Sequence, residues 1–283
     1  MLYSTYSGIS MRQHNLDCVV IRRRKEGWKI DASFTFVVKD KQDWKSAWST
    51  LKKRLPRWRN CVSMSLSFEE VLSKSSVINA SLSEEEIVNY VHEQLSNAIL
   101  TEELAHDYRV RKLLNDEQKF DLYICKKETL THHLKQCELS LDVVGWVLSD
   151  LRALSREIES AYGNRGDGFI EITEDGIIAA SLNEPSQPMI FDIAGQSLAV
   201  FSESLTHNFL NLFADRDKKS ITLLVYGGTD RVTELSNLLI HRPEFKLIDV
   251  SHTNMGQSLT SFMTGYPALA CALGAYHWSK AYL

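Results

Sequence analysis

Two adjacent glycines, Gly227 and Gly228, follow the apolar run Ile221–Tyr226 and precede a helical pattern through Leu235, Leu238 and Leu239. Glycine lets a backbone approach a ligand closely, and the first turn of a helix offers N–H groups that suit an anion such as phosphate. The same pair also serves as a tight strand-to-helix turn, and the residues alone leave both readings open. The remaining groupings do less. The sequence has no GxxxxGKS/T, no GxGxxG after a strand, no HExxH and no GxSxG, so none of the chemistries those patterns carry is indicated. His132 and His133 are neighbours, which on a helix places them about 100° apart, a poor geometry for sharing a metal. Glu84-Glu85-Glu86 reads as an acidic first helical turn matched to the helix dipole.

The five cysteines, Cys18, Cys61, Cys125, Cys137 and Cys271, are odd in number and form no CxxC pair. They read as reduced, buried thiols, with no disulfide frame and no zinc site. Charge is uneven. The net value is −4, but residues 1–60 carry 14 Lys and Arg against 5 Asp and Glu, a balance of +9 that leaves −13 for the rest. Two basic clusters account for much of this: Arg22-Arg23-Arg24-Lys25, and Lys52-Lys53-Arg54 with Arg57 and Arg59. They are either solvated ends of elements or a contact for an acidic partner or anionic lipid, where each basic residue adds on the order of 1 kcal/mol. Trp44, Trp48 and Trp58 near the second cluster have spacings that suit a packed amphipathic helix, so nucleic acid is not expected.

The elements that would position these residues alternate strand and helix. Residues 2–11, Cys18–Arg22 and Lys29–Val38 read as strands, with Glu26-Gly27 as a turn. Asp43–Leu55 reads as a helix with Trp44, Ala47, Trp48 and Leu51 on one face, ended by Pro56. Val62–Leu66 and Val77–Asn79 are short strands. Ser83 and Glu86 form a capping box, with Leu82 stapled to Ile87, for a helix that buries Val91, Leu95 and Ala98. Phe120–Cys125 is a strand, and Glu128–Cys137 a helix with Leu130, Leu134 and Cys137 inside. Val143-Val144 is a short strand, after which Ser149 caps a helix. Gly163-Asn164-Arg165-Gly166-Asp167-Gly168 is the strongest breaker and marks a boundary. Beyond it, Phe169–Thr173, Ile177–Ser181 and Met189–Ile193 read as strands, with a Glu174-Asp175-Gly176 turn between the first two. Ser197–Phe213 reads as a helix, Ile221–Tyr226 as a strand buried on both faces, Lys246–Val250 as a last strand, and Pro267 as the start of a terminal helix. A meander, a helix and further strand–helix units thus occur twice, without sequence self-similarity. No apolar run reaches the roughly 18 residues of a membrane span, and the start has no signal-peptide pattern, so the expected location is the cytoplasm.

This order of elements resembles the PilM group of the actin/Hsp70-like fold, with its divergent HofM, ComA and MshI-like relatives. The likeness rests on Ser7–Met11 followed by Val19-Val20-Ile21, on Val77-Ile78 through Ser81–Ile87, and on Asp121–Glu128. It rests further on Leu224-Val225-Tyr226-Gly227-Gly228 with the closing Pro267–Ala275. The resemblance implies an α/β, actin/Hsp70-like two-lobed fold with mixed sheets and flanking helices. Residues 1–162 would form the first half, with an inserted subdomain at about 43–115. Residues 168–265 would form the second half, and 266–283 a helix packing back onto the first.

The resemblance also implies a degenerate nucleotide cleft at Gly8, Ser10, Gly227 and Gly228. Typical members bind phosphate and metal with an Asp-x-Gly turn. The matching positions here are Ser10 and Arg12, and in the second phosphate turn Glu171, Ile172 and Thr173. Phosphoryl transfer needs a backbone cradle and a metal ligand together, so no catalysis, no metal and no cofactor are expected, with ATP binding weak or absent. By resemblance the chain is a cytoplasmic scaffold peripheral to the inner membrane in type IV pilus biogenesis. It would bind the cytoplasmic tail of a PilN-like protein within residues 1–125, with the pilus assembly ATPase as a further partner. Arg22, Arg23, Arg24 and Lys25 would face anionic lipid. The alternatives are an ATPase or kinase of the same fold, and a cytoplasmic component of a type II secretion system.

Overall fold

The first 37 positions build a three-stranded antiparallel meander, β1 (Thr5–Arg12), β2 (Asn15–Arg24) and β3 (Gly27–Val37), whose central strand is buried without a break from Leu16 to Ile21. The computed structural model describes residues 3–12, 15–66, 70–79, 81–96, 103–112, 117–137, 139–163, 166–172, 176–182, 189–192, 198–203, 207, 220–227, 229–239, 241–250 and 266–282. Arg24 pairs with Gly27 across the β2–β3 turn, so the turn residues are Lys25 and Glu26, one position earlier than the spacing suggests. Gly27 takes a φ of 114°, a conformation that favours glycine.

Helix α1 (Lys41–Arg54) starts earlier than its apolar period because Asp40 caps it, accepting from the N–H groups of Gln42 and Asp43 at 2.7 and 2.9 Å. Ala47, Trp48 and Leu51 are buried. Strand β4 (Asn60–Leu66) then runs parallel to β1, with Thr5 opposite Asn60 and Ile9 opposite Met64. Trp58 is not on this helix: it lies beyond Leu55 and is 84% exposed, so the packed-helix reading fails for it.

Strand β5 (Leu72–Asn79), helix α2 (Glu84–Ser96), strands β6 (Leu104–Lys112) and β7 (Glu117–Lys126), and helix α3 (Lys127–Gln136) form a separate small unit around the antiparallel sheet β5-β7-β6. The capping box is present. The Ser83 N–H donates to the Glu86 carboxylate at 2.8 Å, and the Glu86 N–H donates to Ser83 Oγ at 3.3 Å. Ile87, Val91 and Leu95 pack on Phe120, Leu122 and Ile124, with Leu82 beside them; Ala98 lies outside the described residues. Three expectations change here. Strand β6, with its alternating charged residues, has no counterpart in the sequence reading. Leu134 is 46% exposed, because α3 buries none of its residues. The small unit spans 66–138 with 184–187, not 43–115. The reason is that α1 packs on β2 and β3 and β4 pairs with β1, which ties residues 43–65 to the larger unit.

The larger unit comprises residues 1–65, 139–183 and 188–283. In it β8 (Val143–Trp146) completes a five-stranded sheet of order β3-β2-β1-β4-β8. Helix α4 (Val147–Tyr162) follows directly, with Trp146 rather than Ser149 at its N-cap position, and stops at Gly163, whose φ is 71°. Strands β9 (Gly168–Ile172), β10 (Gly176–Ser181), β11 (Met189–Asp192), β12 (Ile221–Gly227) and β13 (Phe245–Asp249) form the second sheet. Its order, β11-β10-β9-β12-β13, repeats that of the first. The repeat is therefore real at the level of topology, and the small unit is inserted between the fourth and fifth strands of the first copy. Leu198 and Phe201 from the helical stretch 198–203, with Val232, Leu235 and Leu239 of α5 (Thr229–Leu239), cover one face of the second sheet. The rest of the expected 197–213 helix, beyond 203, and the 174–175 turn lie outside the described residues, His207 excepted. The chain closes with α6 (Tyr266–Tyr282). Among the described residues no helix is long and apolar enough to cross a membrane.

Candidate functional site

Small residues at Ala268, Ala272, Gly274 and Ala275 let α6 approach other elements closely, and the approach is made on strand β1. A Cβ on Gly8 would fall within 3.0 Å of the Ala268 carbonyl and of the Ala272 backbone, so Gly8 is the point where the helix backbone rests on the strand. Tyr6, two residues earlier on the same face, stacks edge-on with Tyr276 at 5.4 Å, and its hydroxyl lies 2.7 Å from Ser279 Oγ. Ser10, two residues later, pairs in register with Asp17, a buried carboxylate that accepts from Thr35 Oγ1 at 2.7 Å. The missing side chain of Gly8 is thus taken up by protein packing.

The other face of α6 meets α4. Gly274 leaves the space that the Asp150 carboxylate fills, and Ser65 donates a hydrogen bond to that carboxylate. Near the helix ends, Glu157 of α4 accepts from Trp28 Nε1 at 2.7 Å and from His277 Nε2 at 2.8 Å. Burial alone would push the Glu157 carboxyl up. The hydrogen bonds from His277 and Trp28, with the charges of His277 and Lys280, outweigh it and hold the carboxyl below its ordinary value. All five cysteines are buried and none forms a disulfide. Burial pushes the Cys61 and Cys271 thiols up to about 12, and raises Cys18 further.

In the second sheet, the parallel strands β9 and β12 end side by side, with Ile172 opposite Gly227. In open α/β sheets the carboxyl ends of parallel strands are where ligands bind, and the resemblance puts the second phosphate turn and the glycine pair there. Gly227 is required by the neighbouring strand: a Cβ there would lie 2.6 Å from the Ile172 carbonyl and 2.9 Å from its side chain. Thr173 and Gly228 lie outside the described residues. Glu171 sits opposite Tyr226, whose ring packs on Tyr266 at the start of α6 at 5.0 Å. The candidate cleft residues therefore lie in two sheets: Gly8, under the terminal helix, and Ser10 on β1 of the first, and Gly227 at the end of β12 in the second.

The basic residues are divided as well. Arg22 turns to Asp31, donating from Nη2 at 2.6 Å and from Nε at 3.1 Å, and its guanidinium holds the Asp31 carboxyl below its ordinary range. Arg54 lies over the rings of Phe34 and Phe36 at 5.4 and 5.9 Å. Arg23, Arg24 and Lys25 instead join Arg59, Tyr3 and Ser4 around an open depression of about 550 Å³. The two basic clusters thus meet in space at a point that neither cluster alone indicated. Arg59 is held there in a left-handed conformation, φ 51°, with its carbonyl accepting from the N–H groups of Ser4 and Thr5 at 2.8 and 3.1 Å.

No protein-family model matches the chain, and no curated protein matches it. Among solved structures, a chain of the PilM-PilN type IV pilus biogenesis complex is similar over 96% of this chain and 98% of its own length, with a TM-score of 0.66 and 12% identity. The cytoplasmic domain of EpsL, an inner-membrane component of the type II secretion system of Vibrio cholerae, is 14% identical over 91% of this chain and 94% of its own, with a TM-score of 0.49. A Bacteroides thetaiotaomicron protein with an actin-like ATPase fold follows at 12% identity over 92% of this chain and 96% of its own, with a TM-score of 0.44. The fold is accordingly α/β and actin-like, with the PilM-like arrangement of mixed sheets and flanking helices.

Proposed function

We propose that this chain is a non-catalytic scaffold of an inner-membrane assembly platform of the type IV pilus kind, and that it binds the extended cytoplasmic tail of a PilN-like membrane protein. The observation that carries this reading is the likeness, over nearly the whole of both chains, to a chain of the PilM-PilN complex. The non-catalytic part rests on residue chemistry. Where the PilM-type phosphate turns carry an aspartate and a glycine, this sequence has Ser10 and Arg12 at the end of β1, and Glu171, Ile172 and Thr173 at and after the end of β9. Gly8 and Gly227 spend their missing side chains on Ala268, Ala272 and Ile172.

An extended tail binds most economically by adding a strand to a sheet edge, where backbone groups give affinity and pockets give selection. Within residues 1–125 the strands at sheet ends are β3, β5 and β6. β5 combines an edge position with two exposed apolar side chains, Leu72 at 42% and Val77 at 58%. An edge strand of that kind is a liability that a partner relieves. The test is calorimetry and hydrogen exchange with a synthetic peptide from the N-terminal tail of a PilN-like protein encoded beside this one. One-to-one binding with protection of amides within 1–125, first of all in β5, is the expected result. No heat and no protection at near-millimolar peptide would sink the scaffold reading. Protection centred on the β12–α5 turn would move the docking site to the nucleotide cleft.

A further inference from the structure

We propose that the depression formed by Arg23, Arg24, Lys25 and Arg59 is a docking site for the phosphate headgroups of an anionic lipid surface, with Trp58 as its interfacial anchor. The depression is distinct from the β5 edge, and the lipid proposal does not depend on peptide binding.

Three observations converge on it. The first is charge. The β2–β3 turn and the segment before β4 are 34 residues apart in sequence, yet they place four cations around one open depression of about 550 Å³. A phosphate entering it meets guanidinium groups, whose planar forks suit phosphate oxygens, together with a lysine ammonium. The second is Trp58. It precedes Arg59 directly and is the most exposed large hydrophobic side chain among the described residues, at 84%. Leaving an indole in water forfeits the burial of a large apolar surface. Trp is enriched where a membrane meets water, because its body is apolar and its N–H is polar. The third is rigidity. Arg59 is fixed in a left-handed conformation, which costs a non-glycine residue free energy. The N–H groups and hydroxyls of Ser4 and Thr5, all donating to its carbonyl, hold it there. The Trp58–Arg59 step is therefore a built feature of the surface and not a random coil.

A lipid surface is the occupant that uses all three. A free phosphate would use the cations but not Trp58. An apolar protein patch would use Trp58 but leave four cations facing it. Glu26 in the same turn, Asp31, which feels the charge of Arg24, and Asp142, which accepts from the Tyr3 hydroxyl at 3.4 Å, are acidic neighbours, and the four cations outnumber these three. Arg22, tied to Asp31, is outside the site.

The test uses the full chain with vesicles of phosphatidylglycerol and phosphatidylcholine against vesicles of phosphatidylcholine alone, read by co-sedimentation at low and high salt. Binding to the anionic vesicles only, weakened by salt, is expected, because exposed charges are screened within about 3 Å at 1 M. Arg24→Glu with Arg59→Glu should lower the affinity roughly tenfold or more, since each basic residue near such a surface adds on the order of 1 kcal/mol. Trp58→Ala should remove a blue shift of tryptophan emission seen on vesicle binding, and Arg22→Gln should leave binding unchanged. Circular dichroism melts of each variant separate lost binding from lost folding. Equal binding to both vesicle types, or undiminished binding by a folded Arg24→Glu, Arg59→Glu chain, would overturn the proposal. So would binding of soluble glycerol phosphate or of an acidic peptide with no binding to vesicles, which would make the depression a small-anion or protein site.

Discussion

Substituting Gly8 by alanine isolates the contact on which the terminal helix rests. Gly8 lies in the interior of β1, and its φ is not in the left-handed region, so alanine meets no backbone penalty of its own. The added methyl would fall within 3.0 Å of the Ala268 carbonyl and the Ala272 backbone, where ordinary contact begins at 3.4 Å. Those atoms belong to helix backbone and cannot rotate aside, so α6 or β1 must shift. Overpacking of a filled core costs about 1–3 kcal/mol, and a clash with main chain belongs at the upper end. Against this, replacing glycine lowers the entropy of the unfolded chain, a stabilisation of about 0.4–1 kcal/mol. The net is a loss of about 2 kcal/mol, which for a chain of this size lowers the melting temperature by about 3–4 °C. Urea titration and thermal melts followed by circular dichroism measure it. Ala272→Leu, at a position with no exposed surface, should lose a comparable amount. If Gly8→Ala melts within about 1 °C of the parent, the close approach is not a determinant of stability and the account of Gly8 given above is wrong.

Three further outcomes are expected. Because Glu157 is held below its ordinary value of 4.5, its contribution to stability is present above that pH and lost as pH falls through the lower folded value. The stability gap between the parent and Glu157→Gln should therefore close on acidification below about pH 4.5, and a gap that widens there would reverse the assigned sign. The native chain should react with fewer than one thiol equivalent of a disulfide reagent in minutes, and with all 5 after denaturation, because every cysteine is buried. Rapid labelling of Cys61 or Cys271 in the folded state would contradict thiols pushed up to about 12. With magnesium and ATP, calorimetry should show no micromolar binding and a phosphate-release assay no turnover, given Ser10, Arg12 and Glu171 at the turns. Turnover above a buffer control would remove the non-catalytic reading.

Local signals were legible where one residue type has one strong reason to be in place. The Ser83–Glu86 box is such a case, as are the fully buried run of β12 and the stop at Gly163. Helix α1 was legible in its face but not in its start, because its cap at Asp40 precedes the apolar period. Strand β6 was not legible, since Leu104–Lys112 is rich in charge and its apolar positions make sense only against Phe120 and Leu122 of β7. Leu134 looked like a core residue by spacing alone, but α3 buries none of its residues.

The sequence by itself determined the strand and helix alternation, the break near residue 163, the absence of the familiar nucleotide and metal patterns, and two concentrations of positive charge. These follow from periodicity, backbone chemistry and composition, which act over a few residues. Only the tertiary structure decided what the glycines and cations are used for. Gly8 belonged by resemblance to a degenerate nucleotide cleft, and nothing near it in the sequence indicates that α6, some 260 residues later, lies against it. Arg22 and Arg23 are adjacent, but Arg22 pairs with Asp31 while Arg23 lines the depression it shares with Arg59. Close approach and charge convergence depend on which distant segments the sheet order brings together. That order is a property of the packed chain and not of any local run of residues.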